Sequence, residues 1–407
     1  MRRAARSGAG ISPVAVGDFS IVTCLGAGRG QTIAALRAGR SGLGPCTFDA
    51  LPFSTYVGEI PDLDAHPLEG ELSGFDCRNN RAAALALRED SFTDAVGAAR
   101  GRYGAERIGV FVGTSTSGLR QAEIAYRQRD PATGRLPPEF DYARTQNTYS
   151  LARFVRTVLD LTGPAFVVST ACAASAKVFG SAARMIAGGL CDAAVVGGAD
   201  TLCATTLFGF HALGLMADEP CRPFDAGRRG ISIGEGAGFV LLERVSERHG
   251  PNTILLEGVG ESSDAYHMSS PHPEGAGAGL AMKRALAAAR LEPADIDYIN
   301  LHGTATSLGD AAEDRCVFSL FGADTPCSST KGFAGHALGA SGVIEAIFCA
   351  LSLQHEFLPG SPHTRTIDPA FKICYVCEGR PVRLNRVISN SFGFGGTNCS
   401  LLLGRAG

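Results

Sequence analysis

Two stretches of the sequence, CAASAKVFGSAARMIAGG at 172–189 and HALGASGVIEAIFCALSL at 336–353, have helical composition yet are apolar nearly all the way round. A helix with no polar face cannot lie on a surface, so each must be buried on every side. Their small residues allow two backbones to approach closely, and such a pair fits as a central layer between two sheets. Around them, β-branched runs alternate with helical stretches: IGVFVG, LARFVRTVLDL, AFVVST, the 172–189 segment and AAVVGG, ending in GFVLLERV. The pattern restarts with TILLEGVG, AMKRALAAARL and YINLHG. This is the grammar of an α/β fold with a parallel or mixed sheet covered on both faces. It predicts two halves of similar design, 14–250 and 251–407, with Gly188 and Gly189 ending the first central helix.

Composition narrows the function. With 407 residues, 45% apolar and 19% charged, the chain can bury a large core. A net charge of −3 gives no global field for nucleic acid or an anionic membrane, so an acidic partner must be met by a local basic patch. Arg2, Arg3 and Arg6 lead the chain without an apolar run behind them, and no secretion signal is read. The apolar stretches near 164–189 and 337–353 are short or interrupted by Lys177, Arg184 and Glu345, which predicts no membrane span and a cytoplasmic location. Thirteen scattered cysteines read as reduced core residues. Cys374 and Cys377 form a lone C-x-x-C in the strand-like FKICYVCEG, without the second ligand pair that a metal site needs.

VVSTACAAS sets Cys172 after a strand and at the first turn of a helix, where unpaired N–H groups and the helix dipole favour a thiolate. A buried cysteine reads equally well as simple core. The context comes from NLHGTATSLGD and STKGFAGHALGASG, in which strand-like runs deliver His302 and His336 into Gly-rich turns. One such histidine alone reads more readily as a satisfied polar residue. Two of them with a helix-terminal cysteine supply the ingredients of acyl transfer, for which separation along the chain is no obstacle.

Five motifs occur in order: STACAAS with Cys172, RPFDAGRRG with GEGAG at 234–238, HGTATSLGD with His302, KGFAGHALGASG with Lys331 and His336, and NSFGFGGTN at 390–398. Together they resemble the β-ketoacyl-acyl-carrier-protein synthases over nearly the whole chain, the first ten residues and region 120–145 excepted. The resemblance implies a thiolase-like, pseudo-duplicated five-layered αβαβα fold. It also implies a homodimer, or a heterodimer with a ketosynthase-like subunit. No metal and no enzyme-bound cofactor are implied, because substrates ride on the 4′-phosphopantetheine of acyl carrier protein.

In such an enzyme Cys172 takes the acyl chain, with the N–H groups of Cys172 and Phe394 as oxyanion hole, and attack follows from malonyl-ACP as it loses carbon dioxide. His302 and His336 would stabilise the enolate, Lys331 would order them, and Glu345 would hold Lys331 or serve as a structural ion pair. Thr304 and Thr306 would bind the phosphopantetheine arm unless they only shape the turn, and Phe394 would gate the acyl pocket with Phe392 packed nearby. Arg78 and Arg81, and secondarily Arg127 and Arg129, would dock the acidic carrier protein. Thr116 falls where housekeeping elongation enzymes often carry a bulkier apolar residue, in a segment that lines the far end of the acyl pocket across the dimer. A smaller, more polar residue there suggests a longer or unsaturated chain, and favours aryl-polyene or polyketide synthesis over membrane lipid. The rival readings are a non-catalytic chain-length partner, which would lack the nucleophile, and a CoA-dependent thiolase, whose second cysteine Cys399 would supply only without the expected Cys-Gly-Gly context.

Overall fold

Alternation along the strands sorts apolar residues into three cores. In the strand Gly236–Arg244, Phe239 and Leu241 enter one core while Val240 and Leu242 enter another. In Thr397–Arg405, Leu401 and Leu403 join that same second core, and Leu402 faces a third. A strand buried on both faces needs a covering layer on each side. The computed structural model, which describes residues 12–406, supplies five layers. The leading Arg2, Arg3 and Arg6 lie outside the described residues.

Helices Arg78–Arg88, Phe92–Tyr103 and Tyr149–Leu159 bound the first core, and Ala276–Ala289 and Ser307–Phe321 bound the third. Between them run the central helices Ala174–Ala187 and Ser341–His355. The first stops at Gly188 and Gly189, the latter with φ of +70°. The stretch Leu338–His355 is apolar and long enough to cross a membrane, but 89% of it is buried inside the protein, so it is a core helix.

The sheets differ from the expected separate pair. Strand order from one edge is Cys374–Tyr375, Pro326–Ser328, Tyr298–Asn300, Arg386–Gly393, Thr397–Arg405, Ile254–Ser263, Val14–Thr23, Gly236–Arg244, Ala193–Asp200, Ile108–Gly113, Ala165–Val168. Apart from the first edge strand, this order reads the same from either end in both position and direction of pairing. The halves are stitched into one sheet because Val14, Ala15 and Val16 pair with Leu256, Leu255 and Ile254 while also pairing with Gly236–Arg244. Irregularities at Val16/Asp18 and Leu256/Gly258 then break the register, which lets the strands diverge around the central helices.

The close helix approach expected from small residues occurs at Gly342. A Cβ there would lie 2.5 Å from Ala176 N and 2.7 Å from Ala176 Cβ. Val343 N–H also donates to Ser175 Oγ across the same crossing, at 2.9 Å. Gly342→Ala is therefore expected to lower unfolding stability by about 1–3 kcal/mol through overpacking, despite the gain in helix propensity. Urea denaturation checks this, and a stabilised variant would contradict the packing account.

Candidate active site

Strand Ala165–Val168 runs into a turn in which Ala171 has φ of +51°, and the following helix begins at Ala174, so Cys172 is presented on a tight corner. Gly393 rests on that corner. A Cβ on it would sit 3.1 Å from Thr170 O and 3.2 Å from Cys172 N, a tight fit that glycine relieves. The Phe394 N–H and the Cys172 N–H thereby face Sγ. The thiolate expected from the helix end is not the resting form. Burial pushes the Cys172 thiol up to about 11, outweighing the Lys331 cation and the two N–H groups that oppose it.

His336 approaches from the other half, its Nε2 3.0 Å from Cys172 Sγ. Its backbone is pinned beside the GEGAG motif: His336 N–H donates to Ser232 O at 2.8 Å, and its carbonyl accepts from Gly234 N–H at 3.0 Å. Gly234 permits this because a Cβ there would fall 2.1 Å from Ala334 O. Nδ1 of His336 lies 2.7 Å from Ser341 Oγ, which fixes the ring. The His302 ring stands nearly perpendicular to it with centroids 5.4 Å apart, and the ligand atoms of Cys172, His302 and His336 all fall within 4.8 Å. Lys331 Nζ is 3.5 Å from His302 Nδ1 and 2.5 Å from Glu345 Oε1, in a pair removed from solvent. Burial first, and Lys331 second, hold both imidazoles well below the usual histidine range, so both are neutral at neutral pH.

Three buried carboxylates that the sequence reading missed hold these turns. Glu313 accepts the N–H groups of His302 and Gly303 at 2.8 and 2.7 Å. One helical turn earlier, Asp310 accepts those of Ala305 and Phe224, at 3.1 and 2.8 Å. Asp200 accepts from Thr114 Oγ1, Ser115 N, Thr116 N and Thr116 Oγ1, and from Ala340 N at 3.0 Å, just beyond His336. Asp310, the last residue of HGTATSLGD, and Glu313 one turn further along the same helix were the available signal for the first two. Nothing local in AAVVGGAD announces the third.

A cavity of about 280 Å³ opens in front of the cluster, lined by Cys172, His302, His336, Thr304, Thr306 and the Phe392–Phe394 loop among others. Thr304 Oγ1 and Thr306 Oγ1 lie 3.0 Å apart on its wall. The Phe394 ring rests against Phe210 with centroids 5.5 Å apart, and Phe392 lies 5.8 Å from His302. Gly395 and Gly396 follow with φ of +78° and +74°. That loop is tied to a facing one: Asp264 N–H donates to Gly396 O, Gly395 N–H to Met268 O, and Asn398 Nδ2 to Asp264 Oδ1, all at 2.7–2.8 Å.

The family model described as "Beta-ketoacyl synthase, N-terminal domain" matches residues 12–248, more than half of the chain, and "Beta-ketoacyl synthase, C-terminal domain" matches 254–365. The chain belongs to the β-ketoacyl synthase family. It is 34% identical over 381 residues to 3-oxoacyl-[acyl-carrier-protein] synthase 2 of Staphylococcus aureus, covering 85% of this chain and 93% of that protein. It is likewise 34% identical over 417 residues to the protein of the same name from Coxiella burnetii, covering 96% and 98%. Among solved structures, a ketosynthase (ApeO) in complex with its chain length factor (ApeC) from Xenorhabdus doucetiae superposes with a TM-score of 0.88 at 38% identity, covering 100% of both chains. The five layers are thus the thiolase-like arrangement of ketosynthases.

The expected docking arginines of this β-ketoacyl synthase are corrected. Arg78 is not a docking residue, because its side chain is 2% exposed and its guanidinium grips Glu235 at 2.6 and 2.8 Å, with Glu59 and Asp64 alongside. A buried cation needs such partners. Arg81 is half-buried and forked onto Asp76 at 2.7 and 2.6 Å, so it too is spent internally. Of the secondary candidates, Arg127 is exposed but paired with Asp49 at 3.0 Å, and Arg129 is exposed. Within its own chain Thr116 lies outside the lining of the cavity that holds Cys172, and its hydroxyl donates to Asp200 Oδ1 at 2.7 Å. Its polarity serves that buried carboxylate. Cys374 and Cys377 are half-buried free thiols, only the first of them in a two-residue strand.

With the thiol displaced so far upward, its thiolate fraction grows about tenfold per pH unit across the neutral range. Alkylation of Cys172 by iodoacetamide is expected to accelerate steadily from about pH 7 to 10, with Cys172→Ala as blank. A rate that levels off below pH 8 would contradict the burial argument.

Proposed function

We propose that the chain is an active β-ketoacyl-acyl-carrier-protein synthase that extends an acyl group held on Cys172 by decarboxylative condensation with malonyl-ACP. The observation that carries this reading is the convergence of Cys172, His302 and His336 on one cavity, within 4.8 Å. The thiol proton passes to the neutral Nε2 of His336 as sulfur attacks the acyl-carrier thioester. The tetrahedral oxyanion is met by the N–H groups of Cys172 and Phe394, and its collapse expels the carrier thiolate, which recovers the proton.

Malonyl-ACP then enters along Thr304 and Thr306. As its C–CO₂ bond breaks, the electron pair moves into the thioester enolate, whose oxygen accepts a hydrogen bond from the Nε2–H of His302 and one from His336 after that neutral ring has changed to its Nε2–H tautomer, with Nδ1 then accepting from Ser341 Oγ. The enolate carbon attacks the acyl-enzyme carbonyl, and Cys172 leaves as thiolate, which takes up one proton from solvent to restore the resting thiol. Carbon dioxide and the β-ketoacyl-ACP are the products, and no bound cofactor is needed. Lys331 acts as a positioning residue, its charge adding to burial in keeping both rings unprotonated, and Glu345 fixes Lys331. Phe394 gates entry through its loop.

The names of the S. aureus and C. burnetii relatives support condensation in fatty-acid synthesis, while the X. doucetiae ketosynthase supports a polyketide-like context and pairing with a second ketosynthase-like chain. Intact Cys172 and both histidines argue against the non-catalytic partner, and Cys399, wholly buried in the central core, argues against a thiolase. In this reading residues 14–250 bring the nucleophile and 251–407 the histidines, a division supported by the strand order that reads alike from both ends.

Purified enzyme given acyl-ACP and carboxyl-labelled malonyl-ACP is expected to release labelled carbon dioxide together with β-ketoacyl-ACP. Cys172→Ala should lose condensation outright. His302→Ala should slow decarboxylation by about 10²-fold or more, while Cys172 still becomes acylated. Normal product formation by Cys172→Ala would refute the reading.

A further inference from the structure

Among the residues that line the cavity in front of Cys172, Arg229 is the one lysine or arginine. The neighbouring arginines of RPFDAGRRG are spent. Arg222 is bound to Glu219 at 2.5 Å and to Gly227 O at 2.8 Å, and Arg228 to Asp368 at 2.7 Å and Asp225 O at 3.0 Å while lying over the Phe371 ring. Arg229 by contrast has only the loose company of Asp218 Oδ1 at 3.7 Å and Glu219 Oε1 at 3.9 Å, and its side chain is 67% exposed. The next residue, Gly230, donates its N–H to Ala305 O at 3.0 Å, which fixes Arg229 beside the Thr304–Ser307 turn at the outer end of the cavity. The carboxylates on the wall are already satisfied, Asp264 by Asn398 Nδ2 and His272 N–H, and Glu313 by the N–H groups of His302 and Gly303. An anion entering the cavity therefore meets a single uncommitted guanidinium. A planar fork of donors matches a phosphate, as it does a carboxylate, and the outer end of the cavity, away from Cys172, suits the phosphate of a carrier arm rather than the malonyl carboxylate that must react beside the sulfur.

We infer that Arg229 grips the phosphate of a 4′-phosphopantetheine arm while the thioester at its far end reaches Cys172. It thereby selects phosphorylated arms over phosphate-free thioesters. The inference rests on the condensing-enzyme reading, and assigns to a residue of this chain the recognition that the buried Arg78 and Arg81 cannot supply. The bond is charge-assisted and partly exposed, so its effect is of the order of tenfold.

The test measures kcat/KM for acylation of Cys172 with two small substrates, octanoyl-4′-phosphopantetheine and octanoyl-pantetheine. The wild-type enzyme is expected to favour the phosphorylated substrate by about tenfold, Arg229→Ala to bring that ratio to near one, and Arg229→Lys to keep part of it. An unchanged ratio in Arg229→Ala, or a wild-type ratio of one, overturns the assignment while leaving the condensing enzyme standing. Failure of wild-type enzyme to acylate Cys172 from either thioester, or from acyl-ACP, overturns both.

Discussion

The close crossing of the two central helices is the constraint on which the site depends. Gly342 presses against Ala176, and from this contact the chain leads back four residues to Cys172 on the corner before one helix and six residues to His336 on the turn before the other. A thiol from the first half and an imidazole from the second therefore meet at 3.0 Å without any loop reaching across solvent. The layers outside serve that crossing, since helices apolar on all sides stay fixed only between two sheet faces. A side chain larger than hydrogen at Gly342 would part the helices and draw the sulfur from the ring.

Burial then sets the electrostatics. Removed from water, the thiol holds its proton and both imidazoles refuse theirs. Such a cluster is uncharged at rest, and the nearby Lys331 charge is balanced by Glu345. Attack by sulfur is consequently coupled to proton transfer, and the positive field of Lys331 is felt chiefly where negative charge develops. Asp310 and Glu313 contribute differently, by fixing the backbone of the His302 turn through N–H groups that would otherwise be buried without partners.

Much of this was legible in the sequence. Periodicity gave the strands and the two all-apolar helices, and ordered motifs gave the thiol, both histidines, Lys331 and Glu345. What stayed hidden depends on partners far along the chain. The basic start of the helix RNNR looks like surface until Glu235, 157 residues away, is seen to bury Arg78. The Thr116 hydroxyl gives no sign of Asp200, 84 residues away, to which it donates. The helix-end argument for Cys172 failed on magnitude, because desolvation at a buried corner exceeds what the Lys331 cation and two N–H groups return. The continuous sheet was likewise unreadable, since the three residues that join the halves carry no signal of double pairing.

The thirteen cysteines provide an internal contest for the central claim that the corner between Ala171 and Ala173 is where the acyl chain is carried. Peptide mass spectrometry of native enzyme quenched in acid after incubation with acyl-ACP locates the thioester directly. One acyl group on the peptide containing Cys172, and none on the other twelve, is the predicted result. An acyl group on another cysteine, or condensation proceeding with Cys172 unmodified throughout, would contradict it.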